Sequence, residues 1–284
     1  MAELSILVVG NTGRAEFRDA HAALAGLGRV TAADDVEAAA AILAGSETAA
    51  DVIVVAQALP GEFSGEAIDR LRRLAPLARI VGLLGSWCEG ETRTGRPWPG
   101  AIRVYWHQWH ARAGRELTRL RAGLRSSWAL PSTASEEERL LAVADEALPQ
   151  RQGLVAICSP SFAMQDWLAA ACRRVGYATA WVRPPSLALP PALVAILFDA
   201  SDARGDELAL LQSLAASAGP APILVLLDFP RGEDRDRVLA AGAQAVLSKP
   251  LLIEDLFWQL DRLLQSKTED SPRRHGEHGA EEEK

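Results

Sequence analysis

Cysteine is scarce in this chain. Three residues in 284, Cys88, Cys158 and Cys172, are an odd number with no paired spacing, which argues against a disulfide framework and for a reducing compartment. Excess positive charge is absent too: 30 Lys and Arg against 37 Asp and Glu give a net charge of -7, and no helical stretch is dominated by bases. A broad electrostatic grip on nucleic acid is thereby excluded. Long apolar runs are missing, since the most apolar segment, LALPPALVAILF, is too short and too proline-broken to cross a bilayer. The N-terminal MAELSILVVG lacks a basic region leading into an apolar stretch and cleavage site, so a cytoplasmic location is expected.

The chain does have 49% hydrophobic and 24% charged residues over a length sufficient for two ordinary domains. Continuous apolar runs alternate with helical patterns, as buried parallel strands joined by crossover helices do. LSILVVG, GRVTAA, ADVIVVA, ARIVGLLG and AIRVYW read as strands in the first half; GLVAICS, TAWVR, LVAILFD, PILVLLD and AVLSK follow in the second. The two series repeat: Ala56 precedes Asp199, and Leu84 precedes Leu227, by about 143 residues, and His107 precedes Lys249 by about 142. The expected fold class is α/β, two tandem flavodoxin-like, doubly wound domains, each on a central five-stranded parallel sheet. The expected boundaries are 1–125 for the first domain, 126–150 for a linker with one helix opening at the capping box Ser135-x-x-Glu138, 151–265 for the second domain, and 266–284 for a disordered polar tail.

Sites in such sheets lie at the carboxyl ends of the strands. Asp199 closes LVAILFD and Lys249 closes AVLSK, so both are expected over one rim. Together with the segment PILVLLDFPRGEDRDRVLAAGAQAVLSKP, they make the second half resemble the receiver (CheY-like) domain of bacterial response regulators. The resemblance implies a phosphoacceptor role for Asp199 and a phosphate-contacting role for Lys249. It also marks departures. The family's acidic, metal-holding pair after the first strand is replaced by Cys158, Ser159 and Pro160, and its switch hydroxyl by Leu227, followed by Asp228. One ammonium at about 4 Å supplies on the order of 4 kcal/mol at an effective dielectric of 20, several times less than a dication in direct contact, so Lys249 is a poor substitute for magnesium. A structural Asp199–Lys249 ion pair is the plainer reading. The first half departs further and resembles a pseudo-receiver: Ala56 stands at the acceptor position, Gly10 and Asn11 at the acidic pair, Leu84 at the hydroxyl and His107 where lysine would be.

Residues 85–110, GSWCEGETRTGRPWPGAIRVYWHQWH, hold four of the eight tryptophans, and a Gly/Pro-rich loop replaces the fourth helix. Trp87, Trp98, Trp106 and Trp109 with Arg93, Arg96 and Arg103 are residue types that dominate interface hot spots, and an interaction loop is expected. Packing as a satellite core is the alternative. Cys88, His107 and His110 suit zinc by type but lack a second cysteine, and neither GETRTGRPWPG nor GNTGR matches a phosphate-binding fingerprint. No metal, cofactor or catalytic residue is expected. Trp167 and Trp258 are expected in the core, Trp181 on an edge strand, Glu137, Glu138 and Arg139 on a solvated helix face, and Cys158 and Cys172 as buried hydrophobes.

The expected function is a non-enzymatic signalling or scaffold protein of phosphorelay type, acting on signalling proteins such as a histidine kinase or another regulator, with no nucleic-acid or membrane partner. Two alternatives stay open: a working receiver phosphorylated on Asp199, and a small-molecule-binding or enzymatic protein using residues 85–110.

Overall fold

The computed structural model describes residues 3–45, 49–144, 148–183 and 188–270. In the first half, strands β1 (Leu4–Val9), β2 (Gly28–Ala33), β3 (Val52–Gln57), β4 (Arg79–Leu84) and β5 (Ile102–Tyr105) form one sheet in the order β2-β1-β3-β4-β5, every pair parallel. Strands β6 (Leu154–Cys158), β7 (Ala178–Val182), β8 (Leu193–Ala200), β9 (Ile223–Asp228) and β10 (Ala245–Lys249) repeat that order in the second half, again all parallel. This is the 2-1-3-4-5 order of the flavodoxin and CheY type. The apolar runs explain it: all six residues of central β3 are buried, whereas in edge strand β2 only Ala33 is.

Helices α1 (Arg18–Ala25), α2 (Val36–Gly45), α3 (Gly65–Leu74), α4 (Glu91–Thr94) and α5 (Trp106–Arg121) connect and follow the first set of strands. After α6 (Glu136–Ala144), the helices α7 (Phe162–Arg174), α8 (Gly205–Ser217), α9 (Gly232–Ala240) and α10 (Ile253–Asp270) serve the second set. Short polar residues start several of them: Ser64 and Ser161 accept from the amides of Ala67 and Met164 at the heads of α3 and α7. Each sheet is covered on both faces, giving two apolar layers per half.

The segment between the halves is tied to the first domain. Trp128 is buried in its core, and the Glu116 carboxylate accepts from the Ser126 hydroxyl at 2.6 Å and the Ser127 amide at 2.9 Å. The predicted capping box forms reciprocally between Ser135 and Glu138. Arg139 does not join a solvated face as expected: it is buried and donates to the carbonyls of Ser127 and Pro131, bonds that tie α6 to the preceding turn and satisfy the buried guanidinium. Helix α10 runs on to Asp270, past the expected start of a disordered tail at 266; residues 271–284 lie outside the described residues. Among the described residues, no helix is long and apolar enough to cross a membrane.

Helix α5 docks the halves together. Its Ala111 belongs to the apolar layer of the second domain, and a Cβ on Gly114 would stand 2.5 Å from Cη2 of Trp258 on α10. Buried Asp255 of α10 faces Arg112 and Arg115 of α5 at 3.4 and 3.3 Å.

Candidate functional site

Three strand ends converge on the rim of the second sheet. Asp199 is the penultimate residue of β8, Asp228 ends β9 and Lys249 ends β10, directly opposite Asp228 in the strand register. The Lys249 ammonium lies 2.6 Å from Asp199 Oδ1 and 3.1 Å from Asp228 Oδ1. Ser159, the first residue after β6, donates its hydroxyl to Asp199 Oδ2 at 2.7 Å. Asp199 is only 7% exposed, whereas the Asp228 side chain is 51% exposed. Trp181 on edge strand β7 steadies this corner through a bond from its indole N–H to the Ser159 carbonyl at 3.1 Å, as its expected edge position allows.

Both predicted residues, Asp199 and Lys249, therefore meet. Ser159, expected only among the residues that replace the acidic pair, and Asp228, expected only as the residue after Leu227, are their partners. The signal for Asp228 was an acid closing an otherwise apolar strand, on the strand beside Lys249.

A receiver fold implies a divalent metal, and the donor set does not fit one. Each Asp199 oxygen already has a hydrogen-bond donor, Lys249 on one and Ser159 on the other. At the acidic-pair positions stand a hydroxyl that points its proton at Asp199 and a proline, in place of the hard anionic oxygens that magnesium requires. Among the described residues, no group of three or more His, Cys, Asp or Glu is placed to hold a metal ion. The thiols nearby are inert: burial, then the charge of Asp199, pushes Cys158 up to about 12. Burial likewise pushes Cys172 up to about 12 and Cys88 up to about 11.

The corresponding rim of the first sheet is filled. Gly10 has φ +99°, and a Cβ there would come within 2.9 Å of both the Ala56 carbonyl and the Phe63 ring, so an acidic side chain has no room. Ala56, at the acceptor position, is buried. Glu16 accepts instead from the Ser86 amide and hydroxyl, and Trp106 donates its indole N–H to the Ser86 hydroxyl at 2.8 Å. The register corrects one alignment: Leu84 lies opposite Tyr105 as Leu227 lies opposite Ser248, so Trp106, not His107, stands at the place of Lys249. His107 stacks on Tyr105 with Nε2 at 3.3 Å from Glu89.

The expected interaction loop is mostly interior. Trp98, Trp106 and Trp109 are buried, Trp98 bonding the Phe63 carbonyl at 3.0 Å; only Trp87, 70% exposed, with Arg93 and Arg96 faces solvent. Trp98 fills the sheet face on which α4 is only a single turn, while Trp106 and Trp109 enter the apolar layer of the opposite face. Arg103 pairs with buried Glu91 at 2.8 Å, and Gln57 donates to the other Glu91 oxygen, so the GETRTG segment is anchored on its own carboxylate. Cys88, His107 and His110 do not form a metal site: Cys88 contacts Gln57, His107 lies by Glu89 and His110 bonds Arg262. Trp167 is 39% exposed, not core as expected, and Trp258 is half-buried at the junction of the halves.

No family model and no curated protein matches the chain. Similar solved structures include NtrX from Brucella abortus in complex with ADP, at 18% identity and a TM-score of 0.38, covering 42% of this chain and 28% of that one. A CheY-like receiver domain protein from Methanospirillum hungatei, at 16% identity and a TM-score of 0.36, covers 43% of this chain and 100% of its own. The receiver domain of a histidine kinase from Syntrophus aciditrophicus, at 24% identity and a TM-score of 0.35, covers 43% of this chain and 97% of its own. The strand order, present twice, makes this chain a tandem of two CheY-like, flavodoxin-type folds.

Proposed function

We propose that the chain is a non-catalytic, receiver-like signalling or scaffold protein that acts through protein contacts, with magnesium-dependent aspartyl phosphorylation lost from both domains. The observation that carries this reading is the closed state of Asp199, whose two carboxylate oxygens are held by Lys249 and Ser159. Phosphoryl transfer to a carboxylate needs a free nucleophilic oxygen and strong neutralisation of the equatorial oxygens, and this rim supplies one ammonium shared between two acids. The signalling role rests on the doubled receiver-like topology with Asp199 and Lys249 at matching strand ends. Partners are other signalling proteins, a histidine kinase or a regulator, in the cytoplasm, and exposed Trp87, Arg93 and Arg96 are the outward remainder of the aromatic loop offered to them.

A magnesium titration by calorimetry tests the lost metal site. No saturable heat is expected up to about 10 mM, a range that covers even weak carboxylate sites. Saturable binding that disappears in Asp199→Asn contradicts the reading.

A further inference from the structure

Between the two domains lies a cleft of about 830 Å³, lined from the first domain by α1 and α5 and from the second by α9, β10 and α10. That volume is in the range of small-molecule sites, and domain junctions are where such sites concentrate. Its walls combine flat rings with guanidinium groups. Arg262 lies over the Trp258 indole at 4.9 Å and donates to His110 Nε2 at 2.8 Å, while the His110 ring meets Trp258 edge-on. Arg235 of α9 crosses the junction, pairs with Asp19 at 2.7 Å and covers the Trp106 ring at 5.6 Å.

The two guanidinium groups of the cleft differ in their partners. Arg235 is matched by Asp19 and Asp236. Arg262 pairs with no carboxylate among the described residues; its hydrogen-bond partner is His110. His110 is exposed to the cleft, and because a guanidinium can only donate, its Nε2 accepts from Arg262 and supplies no negative charge to compensate it.

We infer that this interdomain cleft binds a small molecule made of a flat aromatic or heteroaromatic ring carrying an anionic group, with the anion on the Arg262 guanidinium and the ring against the Trp258–His110 wall. Arginine recognises carboxylate and phosphate through its fork of N–H donors, and aromatic walls favour stacked rings. This site is separate from the Asp199 rim, and its reality does not depend on whether Asp199 is phosphorylated. Because the walls come from both domains, an occupant also clamps the docked arrangement.

The experiment titrates the full chain by calorimetry with AMP, with indole-3-acetate and with adenosine, the last carrying a ring but no anion. At least one of the two anionic probes is expected to bind. AMP alone identifies a nucleotide site, indole-3-acetate alone an aromatic-acid site, and both together a general one. Adenosine is expected to bind AMP's site at least about tenfold more weakly, as loss of a charge-assisted bond implies. Arg262→Gln, an exposed position whose replacement is checked for native circular dichroism, is expected to lose about tenfold in affinity, and Arg262→Lys to recover part of it. Absence of binding by both anionic probes up to about 10 mM, weaker than any ordinary small-molecule site, overturns the inference. So does binding that Arg262→Gln leaves unchanged.

Discussion

At the residue scale, the Asp199–Lys249 pair is the point on which structure and function meet. Lys249 is 12% exposed and Asp199 7%, so both charges are held largely out of water and depend on one another, on Ser159 and on Asp228. Removing one partner of such a pair costs more than removing both, because the survivor is left buried and uncompensated. Lys249→Met is therefore expected to destabilise the second domain by about 3 kcal/mol, and Asp199→Leu added to it to recover much of that loss, as read by urea unfolding. Equal stability of the single variant and the wild type would show that the pair is not structural. The pair was legible in the sequence because both residues close apolar runs, and strand ends of parallel sheets share a rim. The roles of Ser159 and Asp228 were not, since a hydroxyl after a strand and an acid beside a lysine gain meaning only once the register fixes their distances.

At the element scale, α5 shows where sequence reading failed and why. Its first turn, WHQWH, reads as part of an aromatic loop, because tryptophan and histidine have unremarkable helix propensity and the Gly/Pro-rich segment before them suggests continued irregularity. Tertiary packing decides otherwise: Trp106 and Trp109 enter the core of the first domain, while the opposite side of the same helix carries Ala111, Arg112, Gly114 and Arg115 towards the second. Gly114 permits the close approach to Trp258, and a larger side chain there must move the indole or the helix. Gly114→Leu is expected to weaken docking by about 2 kcal/mol and to raise the radius of gyration in solution scattering, with secondary structure unchanged by circular dichroism. An unaltered scattering profile would mean that α5 is not the hinge pin of the two halves.

At the scale of the whole molecule, duplication made the fold readable and divergence made the chemistry readable. Ten apolar runs in two matching series predict two parallel sheets, and both have the same strand order. The relative placement of the halves lay beyond sequence reasoning, because it depends on Arg112, Arg115 and Asp255, charged residues that pattern assigns to solvent and that docking buries. Nor was Trp128 foreseen as core, since its Pro/Ser-rich surroundings read as a spacer. The two rims have diverged differently. In the first domain, Phe63, Glu16 and Trp106 fill the rim; in the second, Asp199 and Lys249 occupy it and bind each other.

The most direct test of the central claim, that neither domain of this tandem accepts a phosphoryl group, is the intact mass of the full chain after incubation with acetyl phosphate and magnesium. The account predicts an unchanged mass. A single phosphoryl adduct on the wild type that is missing from Asp199→Asn would contradict it.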